Sequence, residues 1–379
     1  MLTSDKHKRA LDKLENILDT DHLGQAEKIQ DDLYAGKSCD RLPALISTAS
    51  QPDWPSYTFT QGWDDIEKNF MTALSGVYTA ALLKDDSTLS IEPNVGVVSI
   101  PEFFGVESEL TDEGNSMAKG FNDPHKIKEI IDRGVPDFKN SPFNRKLEAF
   151  YKFAANVLSQ YEKLSKYVHF NIPNIQGPFD LVCMVYGREV LLALYDEPHI
   201  IEKLMDLMTD TIINVATYYK KKLELPMDSA YHCCGVKLVR GGIRICDDSA
   251  VLVAGDVYRN LIKQRDIRAF SPFSGGWLHY CGNGNHFVDE LFELEEMRYL
   301  HLGNPDLHDF EHLARLAVEK EKIIIWSGSL ENIGQIRKIT GSTRILALPE
   351  NRYGAKSMED ARARLAKVKN WQCIKQSQW

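Results

Sequence analysis

The chain lacks the features that mark membrane, secreted and nucleic-acid-binding proteins. No window approaches the roughly 18 consecutive apolar residues that a membrane span needs, and the N-terminus has no apolar signal core. No basic run is longer than the three lysines at 220–222, and 54 acidic residues outnumber 45 basic ones, for a net charge of −9. We therefore predict a cytoplasmic protein that binds neither membranes nor nucleic acid.

Glycine, proline and cysteine are also scarce. The 24 glycines and 15 prolines among 379 residues are too few for a collagen-like or low-complexity chain, and a hydrophobic fraction of 43% excludes a disordered one. The seven cysteines are an odd number spread over a long chain, so a disulfide framework is not expected. A cysteine with a special role is then to be sought as a metal ligand or a nucleophile.

Short apolar runs alternate with amphipathic helical stretches from residue 41 onward, which is typical of βα units. Residues 1–40 carry helical patterns alone and predict an N-terminal helical extension. The predicted strands are 44–48, 89–91, 167–172, 242–246, 277–280, 298–302, 323–326 and 345–348. Eight strands, each followed by a helix, predict an α/β fold, a TIM (β/α)8 barrel over 41–370, in which the early βα loops are long.

Catalytic residues of such barrels follow the carboxyl ends of the strands. Glu92, Asp247 and Asp248 occupy such positions and are candidates to position or deprotonate a substrate, although one of the paired aspartates could equally cap the next helix. Arg244 could hold a substrate carboxylate or form a structural ion pair. The further candidates for substrate binding are Asn171, Asn174, Asn283 and Asn304.

His279 and Cys281 form the most informative pattern at a strand end. Successive strand residues point to opposite faces, so these two share a face while Tyr280 points away. At about 3.3 Å per residue they lie about 7 Å apart along the strand, within reach of one metal ion, and zinc accepts both an imidazole and a thiolate. The alternative is a small core cysteine beside a histidine that is only hydrogen-bonded.

Several segments together resemble the uroporphyrinogen decarboxylase superfamily over about residues 40–370, in the order of that family. They are Gly177-Pro178-Phe179-Asp180, Asp196-Glu197-Pro198, Asp247-Asp248-Ser249, the stretch 275–283 and Leu302-Gly303-Asn304-Pro305. The superfamily contains the tetrapyrrole decarboxylase and the zinc methyltransferases that act on methylated corrinoid proteins. The resemblance implies the barrel fold and one of these two chemistries.

The decarboxylase branch fits the sequence poorly. Its arginine-rich segment after the first strand corresponds here to 47–51, which has no arginine, and the loop after the last strand has no histidine. Glu92 at best replaces the aspartate that holds the pyrrole N–H groups in that branch. A substrate that carries eight carboxylates needs cationic partners, so their loss argues against uroporphyrinogen.

The methyltransferase branch fits better. Its zinc-binding His-x-Cys-Gly-Asn matches positions 279–283 as they stand, and its last cysteine ligand corresponds to Glu350, with Asn351 one residue away. A carboxylate is an acceptable zinc ligand, so the resemblance implies a zinc site made by His279, Cys281 and Glu350.

The leading hypothesis is accordingly a zinc-dependent methyltransferase that moves a methyl group between a small-molecule substrate and a corrinoid (methylcobamide) carried by a partner protein. Two alternatives stay open. One is a metal-free decarboxylase of a tetrapyrrole, and the other is a catalytically inactive barrel that binds a corrinoid or a porphyrin. The resemblance also raises the prospect of a homodimer.

Overall fold

The structure is a computed structural model, which describes residues 2–37, 41–111, 115–232, 234–341, 344–349 and 354–371. These residues form eleven strands. They are β1 (Leu89–Ile91), β2 (Ser108–Thr111), β3 (Asn115–Ala118), β4 (Val168–Phe170), β5 (Ser229–His232), β6 (Val236–Val239), β7 (Ile243–Cys246), β8 (Gly276–Tyr280), β9 (Met297–Leu302), β10 (Ile323–Trp326) and β11 (Ile345–Ala347). Seven of the eight predicted strands coincide with β1, β4 and β7 to β11.

The helices alternate with these strands along the chain. They are α1 (Asp5–Ile17), α2 (Thr20–Tyr34), α3 (Phe59–Trp63), α4 (Ile66–Leu83), α5 (Ser99–Phe103), α6 (Pro124–Arg133), α7 (Pro142–Leu158), α8 (Glu162–Tyr167), α9 (Pro178–Tyr186), α10 (Val190–Asp196), α11 (Pro198–Lys222), α12 (Gly255–Val257), α13 (Lys263–Phe270), α14 (Val288–Phe292), α15 (Phe310–Glu319), α16 (Leu330–Thr340) and α17 (Met358–Lys369). None of these helices combines the length and the apolarity needed to cross a membrane.

Five strands make one parallel sheet in the order β11-β10-β9-β8-β7. Beside this sheet, β1 pairs with β4 in parallel, and two antiparallel hairpins are formed by β2 with β3 and by β5 with β6. The architecture is therefore mixed α/β with a parallel five-stranded sheet. The connections from β1 to β4 and from β4 to β7 contain most of the extra helices and both hairpins, as the long early loops predicted.

The predicted first strand, 44–48, is wrong as a continuous strand. It forms two isolated parallel bridges instead, Ala44 with Ala347 and Thr48 with Ala355. On its other side the backbone N–H of Ile46 donates to a carboxylate oxygen of Asp85 at 2.7 Å, where a ladder would supply a backbone carbonyl. A side-chain acceptor thus interrupts the strand pattern at this position.

The sheet separates two hydrophobic cores because its side chains alternate between two faces. The larger core lies between the strands and the helices and contains, for example, Leu278 and Leu300. The smaller core contains the next strand positions, such as Trp277 and Tyr299, together with Val236 of the hairpin β5–β6. His279 and His301 lie two residues after Trp277 and Tyr299, so their side chains are on the same face as the smaller core. Both residues are near the carboxyl ends of their strands, β8 and β9.

The helix starts follow local sequence. Aspartate or serine side chains accept hydrogen bonds from first-turn N–H groups at α2, α4, α6, α7, α15, α16 and α17. Asp65 marks the boundary between α3 and α4, because its side chain accepts hydrogen bonds from the N–H groups of Glu67 and Lys68 at the start of α4.

Candidate metal centre

The carboxyl ends of β7 and β8 bring a thiol, a carboxylate and an imidazole together. Cys246, the last residue of β7, is the register partner of His279 on β8, so both side chains lie on one face. Asp248 follows β7 directly. One ligand atom each from Cys246, Asp248 and His279 lies within 4.8 Å of the other two, a grouping that can hold a metal ion.

Cys281 lies next to this group. Its Sγ is 3.5 Å from Nε2 of His279, and two tetrahedral zinc ligands at about 2.3 Å for sulfur and about 2.0–2.1 Å for nitrogen would lie about 3.6 Å apart. Asp248 Oδ1 is 3.9 Å from the same nitrogen and accepts a hydrogen bond from the backbone N–H of Cys281 at 2.6 Å. Sulfur, nitrogen and oxygen donors in this arrangement suit zinc.

The predicted third ligand, Glu350, lies outside the described residues, and so does Asn351. β11 ends at Ala347, three residues before Glu350. The metal-ligating role of His279 and Cys281 stays a prediction, and Cys246 and Asp248 are the two donors that the geometry adds to it.

Gly303 gives the two central donors their space. A Cβ on this residue would lie 2.4 Å from Cys281 Sγ and 3.2 Å from His279 Cε1, so only a hydrogen fits there. The neighbouring Asn304 fixes the turn after β8, because its Oδ1 accepts a hydrogen bond from the N–H of Gly282 at 2.7 Å. Gly282 itself has a φ of +98°, a conformation that glycine adopts without strain.

Two of the predicted substrate-binding residues, Asn283 and Asn304, thus stabilise the turn after β8. Asn304 binds the Gly282 backbone, and Asn283 accepts a hydrogen bond from the N–H of Asn285 at 3.1 Å. Both keep the turn beside Cys281 in shape. Their direct contact with a substrate remains a prediction.

His279 is nearly enclosed, with 8% of its surface exposed. Burial lowers its pKa well below the usual range, and the nearby His301, whose ring centroid is 4.6 Å away, acts in the same direction. The imidazole is therefore neutral at physiological pH. A neutral imidazole is the form that binds a metal ion.

Asp247 points away from this group into a buried cluster of carboxyl groups. It is 1% exposed, and burial together with the charge of Asp266 raises its pKa well above the usual range. Its Oδ1 lies 2.1 Å from the position of a Cβ on Gly177, so the first residue of the Gly-Pro-Phe-Asp segment makes room for it.

Asp180, the last residue of that segment, holds the loop that carries Asp248. Its two carboxylate oxygens accept hydrogen bonds from the backbone N–H groups of Asp248 and Ser249, at 3.0 and 2.6 Å. Burial, with the charge of Asp247 beside it, raises the pKa of Asp180 to about 8. Of the two paired aspartates, Asp247 therefore belongs to the buried carboxyl cluster beneath the loop, and Asp248 belongs to the metal group.

The remaining predicted residues form a second polar group, made by Arg244 of β7 and by side chains that follow β1 and β4. Asn171 donates through Nδ2 to Glu92, and Arg244 donates to Asn174 Oδ1 at 3.1 Å. Burial raises the pKa of Glu92, although the charges of His232 and Arg244 oppose the rise. The charge of Arg244 also acts on His279, so this guanidinium lies between the two polar groups.

Sequence reasoning missed Cys246 and Gly303 as site residues. The position of Cys246 as the last residue of a strand, directly before Asp247-Asp248, was the available signal. Gly303 belongs to the resembling segment Leu302-Gly303-Asn304-Pro305, but that segment did not indicate its role, because the role depends on how closely the end of β9 approaches the turn after β8.

Comparison with known proteins gives a fold relationship. No family model matches the chain, and no curated protein matches it. Its structure is similar to that of a methyltransferase from Methanosarcina mazei, with a TM-score of 0.62 and 15% sequence identity, over 89% of this chain and 96% of that one. At this identity the similarity shows a common fold.

Proposed function

We propose that this chain is a zinc-dependent methyltransferase of the kind found in the uroporphyrinogen decarboxylase superfamily. The observation that carries the proposal is the convergence of Cys246, Asp248 and His279, with Cys281 Sγ at 3.5 Å from His279 Nε2. Thiolate, imidazole and carboxylate are the donors of catalytic zinc sites. The structural similarity to a methyltransferase supports the same chemistry.

His279 and Cys281 are the first two proposed ligands, since their 3.5 Å spacing fits tetrahedral zinc. The third zinc ligand in this proposal is one of three residues, Asp248, Cys246 or Glu350. Zinc bound there would lower the pKa of a thiol substrate or polarise a substrate oxygen. Arg244 of β7 and Glu92, which follows β1, would orient the substrate, and Asp247 would support the loop that carries Asp248.

The fold proposed for residues 41–370 is a closed (β/α)8 barrel. Its support is the chain of contacts beyond the five-stranded sheet. Ala44 bridges to Ala347 of β11 and its carbonyl accepts from Asp86, just before β1. On the far side, Gly177 after β4 donates to the carbonyl of Cys246 on β7. Together with the pairing of β1 and β4, these contacts link all eight predicted strand segments in a ring.

A corrinoid carried by a separate protein is the proposed methyl donor or acceptor. The segments that follow β4 and β7 expose large apolar side chains, which suits contact with such a partner. Leu252 follows β7 and is 64% exposed, and Leu192 and Tyr195 of α10 are 66% and 73% exposed. Exposed apolar groups of this size are common at protein-binding surfaces.

Zinc content tests the proposal directly. Full-length protein from zinc-supplemented cells should contain about one zinc per chain, and His279→Ala and Cys281→Ala should each lose most of it. His125→Ala is the matched control, because His125 is exposed at the start of α6. Plasma mass spectrometry measures the metal, and circular dichroism confirms that each variant folds.

Activity is tested with free methylcobalamin and 2-mercaptoethanol as the probes. We expect demethylation of the corrinoid by the wild type and by His125→Ala, with a loss of at least about 100-fold in His279→Ala, since a Lewis acid supplies several kcal/mol. A folded wild type that is metal-free after zinc supplementation would overturn the proposal. Demethylation that is equally fast in His279→Ala would do the same.

A further inference from the structure

A cavity of about 280 Å³ opens between segment 44–48, β1 and α4. The segment and β1 are not joined there by a ladder, since the Asp85 carboxylate takes the N–H of Ile46. None of the four donors of the metal group lines this cavity. The cavity therefore does not include the metal group.

Hydroxyl groups dominate the polar lining. Five serines and three threonines face the cavity, among them Thr48, Ser75 and Ser90. Some of these hydroxyls have protein partners, such as Ser75, which donates to Ser50 Oγ at 3.1 Å. Within the described part of the chain, Thr48 Oγ1 and Ser90 Oγ are buried without a hydrogen-bond partner.

The hydroxyl of Ser90, one of the lining residues, is a buried polar group without a partner among the described residues. Ser90 is 3% exposed, and a buried hydroxyl left without a partner costs about 1–3 kcal/mol. A ligand that both donates and accepts hydrogen bonds would satisfy Ser90 and Thr48 together, because each hydroxyl can do either.

The charges of the lining restrict the class of that ligand. No lysine or arginine is among the residues described as lining the cavity, and the one ionisable carboxyl is Asp85. Phosphates and carboxylates are usually held by cationic side chains. At about 30 Å³ per water molecule, the volume corresponds to about nine waters, the size of a small organic molecule.

We propose that this cavity binds a neutral polyhydroxylated small molecule, a polyol or an unphosphorylated monosaccharide. Its hydroxyl groups would pair with Thr48, Ser90 and the other serines and threonines of the lining, and its ring or carbon chain would lie against apolar neighbours such as Val77 and Leu89. The site is independent of the proposed zinc chemistry.

Gly76 of α4 offers a clean way to block the cavity. It lines the cavity, and a Cβ built on it meets no atom within 4 Å. Gly76→Leu therefore fills space without a clash and also raises helix propensity. Gly24→Leu is the matched control, because Gly24 is an exposed glycine in α2 with equally open surroundings.

The experiment is calorimetric titration of the full chain with myo-inositol, D-glucose and glucose 6-phosphate. We expect saturable 1:1 binding of at least one neutral probe, at least tenfold weaker binding of the phosphate ester, and loss of binding by at least tenfold in Gly76→Leu. Gly24→Leu should bind as the wild type does. Ser90→Ala should weaken binding about fivefold while leaving thermal stability equal or higher.

Three results would overturn the proposal. They are the absence of saturable binding of both neutral probes up to about 10 mM, unchanged binding in a folded Gly76→Leu, and binding of the phosphate ester as tight as that of glucose. Zinc content should be the same in Gly76→Leu and in the wild type. A failure here therefore leaves the zinc proposal to its own test.

Discussion

Gly303, beside the metal group, has no room for a side chain. Gly303 contacts the side chains of both Cys281 and His279, and the space of its missing Cβ is filled by Cys281 Sγ. The backbone of β8 holds Gly303 in place, since the N–H of Gly303 donates to the carbonyl of Tyr280 at 2.9 Å. A larger residue at this position must therefore displace the thiol.

Gly303→Ala should weaken zinc binding by about 10- to 100-fold, the range typical of changes next to a ligand. The physical reason is that the methyl group moves Cys281 Sγ away from its 3.5 Å approach to His279 Nε2. Competition with a chromogenic chelator measures the affinity. Gly24→Ala serves as the control, and an unchanged affinity in a folded Gly303→Ala would show that Sγ is not a ligand in its described position.

For single residues, the sequence indicates which side chains are suited to bind a metal, but it does not indicate which residues distant in the chain lie beside them. Strand alternation predicts that His279 and Cys281 share a face, and Cys281 Sγ does lie 3.5 Å from His279 Nε2. Cys246 lies beside His279 because of the register between the parallel strands β7 and β8, and a local sequence pattern does not indicate that register. Asp247 is turned into the buried cluster with Asp266, a residue 19 positions away on α13.

Among the elements, α1 is attached to α4 through one carboxylate. Glu67 near the start of α4 accepts hydrogen bonds from the N–H and the hydroxyl of Thr3, at 2.9 and 2.6 Å, and lies 2.6 Å from His7 Nδ1. Below this contact Leu11 and Leu14 of α1 are fully buried. The polar contact therefore positions the apolar face of the helix.

Glu67 gives this attachment a pH dependence. Burial opposes its ionisation, but the hydrogen bonds from Thr3, His7 and Ser4 together lower its pKa from 4.5 to about 2. A carboxyl group with a lowered folded pKa contributes stability above its unfolded pKa, and that stability is lost as the pH falls toward the folded pKa. The loss should therefore occur between about pH 4.5 and pH 2.

Glu67→Gln should lower the free energy of unfolding by about 1–3 kcal/mol at pH 7, because the charge-assisted hydrogen bonds are lost. The difference from the wild type should shrink as the pH falls from 4.5 to 2. Urea unfolding across this range measures both. Glu311→Gln, at an exposed glutamate in the first turn of α15, is the control. A difference that stays constant down to pH 2 would contradict this account.

The strands were predictable because their apolar runs are short, β-branched and separated by helical patterns. β1 and β10 have the predicted bounds, and the others differ at their ends. Segment 44–48 departs from its prediction because Asp85, which is distant in sequence, takes the N–H of Ile46. Hairpin β5–β6 inside the smaller core was also not predicted, since it depends on contacts with Leu33 and the sheet.

For the whole molecule, the parallel sheet explains why the donors meet. Parallel strands place their carboxyl ends at one edge, and the turns after β7, β8 and β9 supply Asp248, Cys281 and Gly303 to the same point. The net charge of −9 and the lack of an arginine in segment 47–51 are in keeping with a substrate less anionic than a tetrapyrrole. The central claim is thus a zinc centre at this edge.

X-ray absorption at the zinc edge of the full chain tests that claim most directly. The account predicts one zinc per chain with at least one sulfur neighbour at about 2.3 Å and nitrogen or oxygen neighbours at about 2.0–2.1 Å. The sulfur contribution should decrease in Cys281→Ser. A spectrum with nitrogen and oxygen neighbours alone, or a folded protein without stoichiometric zinc, would contradict it.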